Sequence, residues 1–246
     1  MKGKRWRIIF GLLMVLLSFL VYFLHYVIFR DPHHIFIYLI GDVAFVFIEV
    51  LLVSLIIHQL LDERDKQARL EKMNMVIGAF FSQVGTRLLT FISQYDTHIE
   101  KIKTELIVKD DWSAHRFSKV GKRLKSYPYE VEIKSLPLDT LRTFLKGETD
   151  FLLRLLENPN LLEHETFTEL LRAVFHLTEE LLARNELTGL PTTDTEHLAG
   201  DIHRVYSLLV HQWLKYTEYI KNNYPYLFSL IIRTNPFDAQ ASALVQ

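Results

Sequence analysis

The chain has 246 residues, a formal net charge of −1, 49% apolar residues and no cysteine. The balanced charge lacks the basic excess that phosphate binding requires, so no nucleic-acid partner is expected. The lack of cysteine excludes disulfides, thiolate metal sites and cysteine nucleophiles, without fixing the compartment.

Met1 to Arg7 reads MKGKRWR and carries four positive charges. Ile8 to Phe29 follows with sixteen Leu, Ile, Phe or Val and no acid. A secretory signal would have a shorter apolar core and a small-residue cleavage site, so this run is read as an uncleaved membrane anchor. Arg30-Asp31-Pro32-His33-His34 is a connection of about five residues. A proline there ends one helix and starts another, which predicts a tight antiparallel hairpin.

Ile35 to Leu61 is a second span, with nineteen Leu, Ile, Phe or Val but also Asp42 and Glu49. The apolar side chains still favour insertion over the two acids. Seven residues is nearly two full helical turns, so Asp42 and Glu49 share one stripe, about 10 Å apart. Tyr38, Phe45, Val46, Val53 and Ile56 lie near the same face. In an antiparallel hairpin His25 comes level with about residue 39 and Tyr22 with Asp42. Tyr22, His25, Tyr26, Tyr38 and Asp42 are therefore expected to form one polar cluster. Glu49 meets Val15 and Leu16, with Ser18 a turn away, and has no ionisable partner in its own hairpin. It is neutral glue between helices, it meets a second chain, or it lines a wet path.

Positive residues flank the first span on its N-terminal side and, as Arg64, Lys66, Arg69 and Lys72, the second on its C-terminal side. The positive-inside rule then places both termini in the cytoplasm. Residues 62–246 hold 26 acids against 23 Lys or Arg and are long enough to bury a core of their own. Helical spacing from Asp62 to Ile107 predicts that the second span runs on as a helix, with a possible break near Leu61–Asp62. Gly78 and Gly85 would allow one face of it to pack closely. Further helices are expected over Asp110–Ser126, capped by Asp110 or Asp111, over Leu138–Glu157, and over Glu163–Arg184. Two more are expected over Thr195–Asn222, opened by an Asp-Thr cap, and over Tyr224–Thr234. Asn158-Pro159-Asn160 would close the second of these. Tyr127 to Pro137 alternates like a strand but has no evident partner, so it is read as a linker. The Tyr224–Thr234 helix is so apolar that it must bury itself in the bundle or lie against the membrane.

No sequence pattern for catalysis is present: no phosphate-cradling glycine loop, no G-x-S-x-G and no H-E-x-x-H. His176 and Glu180, and His197 and Asp201, are each four apart on a helix face, with His164, Glu165 and His203 nearby. The Glu-x-x-His motif of di-metal helical bundles is absent. These residues are read as helix-surface pairs and partly buried histidines, and no metal, cofactor or catalytic residue is expected. Lys119, Lys122, Arg123 and Lys125 make the most basic patch beyond the spans. They are candidates for contact with anionic headgroups, although a solvated face is the plainer reading.

GDVAFVFIEVLLVSLIIHQLL, NPNLLEHETFTELLRAVFHLTEELLAR and YPYLFSLIIRTNPFD resemble stretches of uncharacterised bacterial inner-membrane proteins with two spans and a cytosolic helical region. The resemblance implies that architecture and no activity. The expected fold is all-α, with a transmembrane hairpin at residues 1–61 (spans about 8–29 and 35–61) followed by a cytosolic bundle at 62–246. The expected role is a non-enzymatic, multi-pass inner-membrane module. It would act in interaction or regulation and meet the bilayer and either a second copy or another membrane protein. Two alternatives stand beside it. One is an oligomeric channel or transporter subunit moving protons or cations past Asp42 and Glu49. The other is a tethered enzyme with a site between Glu163–Glu180 and His197–His203.

Overall fold

The computed structural model of the chain describes residues 2–159, 161 and 164–244. Asn160 and Glu163, expected to close one helix and open the next, lie outside the described residues, as do the side chains of Lys2, Lys4, Arg5 and Arg7. The fold is all-α, and among the described residues the sole extended pairing is an isolated antiparallel bridge between Asp96 and Val131. The chain divides into two units, residues 1–67 and 68–246.

In the first unit, α1 spans Lys2–Phe29 and α2 begins at Pro32, its full range being Pro32–Phe80. The turn between them is shorter than expected. Arg30 takes a left-handed conformation (φ 48°) and its N–H donates to the Tyr26 carbonyl at 2.8 Å, ending α1. Asp31 then caps α2, its Oδ1 accepting from the N–H groups of His33 at 3.0 Å and His34 at 3.3 Å. Pro32 follows the cap at the first helical position, where its missing N–H is harmless. His33 and His34 therefore belong to the helix and not to the turn. The helices over Ile9–Phe29 and from Pro32 onward are long and apolar enough to cross a membrane, and none of either apolar window is buried.

No break falls at Leu61–Asp62, where α2 is continuous. The interruption comes instead at Phe81–Gly85, a π-helical turn that leads into α3 (Thr86–Ser93). A side chain on Gly85 would lie 2.7 Å from ring carbons of both Phe80 and Phe81, so the wide turn and its packed rings need a glycine there. Gly78 admits the Tyr216 hydroxyl, 2.8 Å from where a Cβ would be.

The helix expected to reach Ile107 ends at Ser93. A tight turn follows, then a 3₁₀ turn at Ile99–Lys101 and the short α4 (Lys103–Leu106). The next helix, α5 (Ala114–Leu124), starts later than expected, because the Ser113 hydroxyl, not Asp110 or Asp111, accepts from the Arg116 N–H. The single helix expected over Leu138–Glu157 is two, α6 (Leu138–Gly147) and α7 (Thr149–Leu156). Between them the Glu148 N–H donates to the Leu145 carbonyl, closing a tight turn that contains Gly147, a weak helix former. Then come α8 (Glu165–Ala183), α9 (Thr192–Asn223) and α10 (Pro225–Arg233). Asp194 does not cap α9, which follows Pro191; its carboxylate is held by Arg184.

The second unit is organised on α8 and α9. Thr166 pairs with Gln212 at one end and Arg184 with Asp194 at the other, so the two helices run antiparallel. Their facing residues, including Phe167, Leu171, Val174, Leu198, Val205 and Leu209, are fully enclosed. Helices α6 and α7 pack on α8, and α3, α5 and α10 pack on α9. Phe80 meets Phe167 edge to face at 5.5 Å, joining the end of α2 to this core. By contrast α10 buries Phe228 but leaves Tyr226, Leu227 and Leu230 exposed.

Tyr127–Pro137 is more than a linker. Its partner is the turn after α3: Thr97 N–H donates to Glu130 and Glu132 N–H to Tyr95, both at 2.9 Å. Beneath this bridge the buried Asp96 carboxylate accepts from the Tyr127 hydroxyl at 2.6 Å, the Tyr206 hydroxyl at 2.9 Å and the His98 N–H at 2.9 Å. Burial, then the bond to Asp96, pushes the Tyr127 phenol far up; burial and the Asp96 charge do the same for Tyr206. Tyr129 adopts φ 49° and turns its ring onto those of Tyr127 and Tyr206.

Two outcomes follow from this packing. Gly85→Ala should destabilise the chain by about 1–3 kcal/mol through overpacking, whereas Gly200→Ala, in open space within α9, should stabilise it by about 0.5–1 kcal/mol; thermal or denaturant unfolding reads both. Burial lowers the affinity of His164 for a proton below the ordinary value of 6.5, and its Nδ1 accepts from the Phe167 N–H as the cap of α8. As pH falls below that value the unfolded chain takes up a proton that the folded chain resists, so stability falls with pH. Unfolding measured from pH 7.5 to 5.5, read as the difference between wild type and His164→Asn, should show a shallower loss in the variant, whose amide caps without titrating.

Candidate functional site

Three groups of polar side chains were singled out by the sequence. The first lies in the 1–67 unit. The Tyr22 hydroxyl points to Asp42 Oδ2 at 3.4 Å, a long hydrogen bond. His25 stacks edge to face on Phe29 and His34, and the His34 ring lies 4.6 Å from that of Tyr38. Tyr22 is thus brought to Asp42, and His25 reaches Tyr38 only through His34. Tyr26 joins neither contact through its side chain. Glu49 is exposed on α2 and, among the described residues, has no hydrogen-bond or ion-pair partner.

The second group is the basic patch. Lys119, Lys122 and Arg123 on α5 and Lys125 at its C-terminal cap are all exposed, away from the buried Phe117, Val120 and Leu124. Arg123 is not free to meet a ligand, since it binds the Glu105 carboxylate.

The third group is the one the structure gathers most closely. Helix α8 carries His176 and Glu180, and α9 carries His197 and Asp201; each pair is one turn apart on one face. The short loop between the helices contains Gly189 at φ 68° and is anchored by the buried Leu187. Because both pairs sit near that loop, the antiparallel hairpin brings them level. Asp201 Oδ2 lies 3.6 Å from His176 Nε2 and 3.5 Å from His197 Nε2. Glu180 Oε2 is 3.5 Å from His197 Nε2, and its Oε1 is 3.9 Å from His176 Nε2. Ligating atoms of His176, His197 and Asp201 all fall within 4.8 Å of one another. The two imidazoles are about half exposed, whereas Asp201 is 8% exposed and forms the floor.

Arg184 braces one side of this group. Its Nε and Nη2 hold Asp194 at 2.8 and 2.6 Å in a bidentate fork, and its Nη1 holds Glu180 Oε2 at 2.7 Å. The guanidinium keeps both the Glu180 and the Asp194 carboxyl below the usual carboxylate range. Among the described residues the buried Asp201 Oδ2 has no hydrogen-bond partner. His203 and His164 stand apart, the former against the Tyr129 carbonyl and the latter capping α8. The sequence shows the two i, i+4 pairs, and their common distance from the loop is the signal that they meet.

Residues 2–61 match the family described as MJ1433, N-terminal helical domain, and residues 69–233 match the C-terminal helical domain of the same protein. The uncharacterized protein MJ1433 of Methanocaldococcus jannaschii is 48% identical over 238 residues, covering 97% of this chain and 96% of that protein. No solved structure matches the chain. The relative is archaeal, so the expectation of a bacterial family gains no support from it. The chain belongs to the MJ1433 family, and both of that family's helical domains are present in it.

Proposed function

We propose that this protein is a membrane-anchored helical module. In this reading α1 and the apolar part of α2 form two spans, the 68–246 unit works on the cytoplasmic side, and a second copy docks on the stripe carrying Asp42 and Glu49. The observation that carries it is that two long helices expose apolar side chains on every side, with none of either apolar window buried. A soluble core helix of that composition would be covered, and a soluble protein seldom exposes an apolar surface of this extent. The basic residues at Lys2, Lys4, Arg5 and Arg7, and at Arg64, Lys66, Arg69 and Lys72, support the orientation.

Self-association follows from Glu49. An acid on a lipid-facing stripe needs a polar partner, and the hairpin offers it none among the described residues. A second hairpin would supply one, which makes the stripe a contact between copies. A proton or cation path would use the same two acids and adds no observation of its own.

A chain without native cysteine suits a disulfide test in native membranes. Val53→Cys, on the stripe, should form a crosslinked dimer under mild oxidant, and Phe47→Cys, on the opposite face, should not. A polar contact between membrane helices contributes about 0.6–2 kcal/mol, so adding Glu49→Leu to Val53→Cys should weaken association roughly three- to thirtyfold. Equal crosslinking at both positions, or crosslinking indifferent to Glu49→Leu, removes the self-association reading.

A further inference from the structure

We propose that His176, Glu180, His197 and Asp201 form a binding site for a divalent transition-metal ion of the zinc type. Two imidazoles and two carboxylates are a donor set suited to zinc. Two of the four separations match those of co-ligands, the other two are slightly wider, and none is that of a close hydrogen bond. Metal–nitrogen and metal–oxygen bonds of about 2.0–2.2 Å place neighbouring ligand atoms of a tetrahedral site roughly 3.3–3.5 Å apart. The imidazole nitrogens lie 3.5–3.9 Å from the carboxylate oxygens, beyond hydrogen-bond length. A simple ion pair between an imidazolium and a carboxylate would close to about 2.7–2.9 Å.

Asp201 supplies an independent observation. It is 8% exposed, its Oδ2 faces both imidazoles, and that oxygen accepts no hydrogen bond from the described residues. A buried carboxylate oxygen without a donor is costly, and a cation between the two imidazoles would satisfy it. The formal charges agree. Glu180, Asp194 and Asp201 stand against the one guanidinium of Arg184, which leaves two negative charges for a divalent ion to offset. Arg184 also acts as a positioning residue, since it fixes Glu180 through the oxygen nearer His197. The half-exposed imidazoles give the ion a path from solvent.

The test uses the full chain, untagged and solubilised in detergent, titrated with Zn²⁺ by calorimetry, with the thermal unfolding midpoint recorded alongside. One equivalent should bind and raise the midpoint, and Mg²⁺ at the same concentration should do neither. His176→Gln and His197→Gln change exposed side chains and should leave the fold intact by circular dichroism. Removal of an outer partner already costs a site about 10–100-fold, so each of these ligand variants should lose about 100-fold or more in affinity. Asp201→Asn should lose as much, and the two histidine variants decide the question if it fails to fold. Absence of Zn²⁺ binding, or binding that either histidine variant leaves unchanged, overturns the proposal.

Discussion

A helix that is apolar on every side has no stable place in water. Residues Ile9–Phe29 and the run that starts at Pro32 present leucine, isoleucine, valine and phenylalanine all around, with Phe19 74% and Phe47 73% exposed. Each such side chain left in water forgoes roughly 1.5–3 kcal/mol of burial, and dozens are left so in a molecule whose whole stability would be of order 5–15 kcal/mol. The helices of the second unit show the alternative: α8 and α9 keep most of their apolar residues on the faces they share and, apart from the buried Asp201, most of their charges outside. On the proposed membrane reading the two units obey the same physics in different solvents, and the tight capped turn at Arg30–Asp31 joins the two helices of the first.

Two buried carboxylates in the second unit make a useful contrast. Asp96 takes two phenol hydroxyls and a backbone N–H, and so fastens the turn after α3 to the Tyr127–Val131 segment and to α9. Every partner it needs is in the chain, and its role is to hold that corner together. Asp201 is almost as deeply placed, yet among the described residues its inner oxygen has no hydrogen-bond partner, and it looks toward two imidazoles. The difference between a satisfied acid and an unsatisfied one, and not the number of acids nearby, singles out the groove between α8 and α9.

The all-α class and most helices were legible from apolar periodicity, because long amphipathic runs leave little choice of element. The misplacements have local causes. Ser113 competes with Asp110 and Asp111 for the start of α5, and the wide turn at Phe81–Gly85 depends on how Phe80 and Phe81 pack around a glycine. The partner of Tyr127–Pro137 was a turn and not a strand, so no second alternating run announced it. The contact of Tyr22 with Asp42 could be counted from the hairpin pivot. The meeting of His176 and Glu180 with His197 and Asp201 was visible only as two separate surface pairs, since it depends on α8 and α9 being antiparallel neighbours with their register set by the loop.

The membrane reading rests on the apolar helices, and extraction of native membranes tests it most directly. Membranes from cells making the full chain, stripped with alkaline carbonate and floated on a density gradient, should retain the protein with the lipid. Release of the chain into the soluble fraction under those conditions would contradict the account.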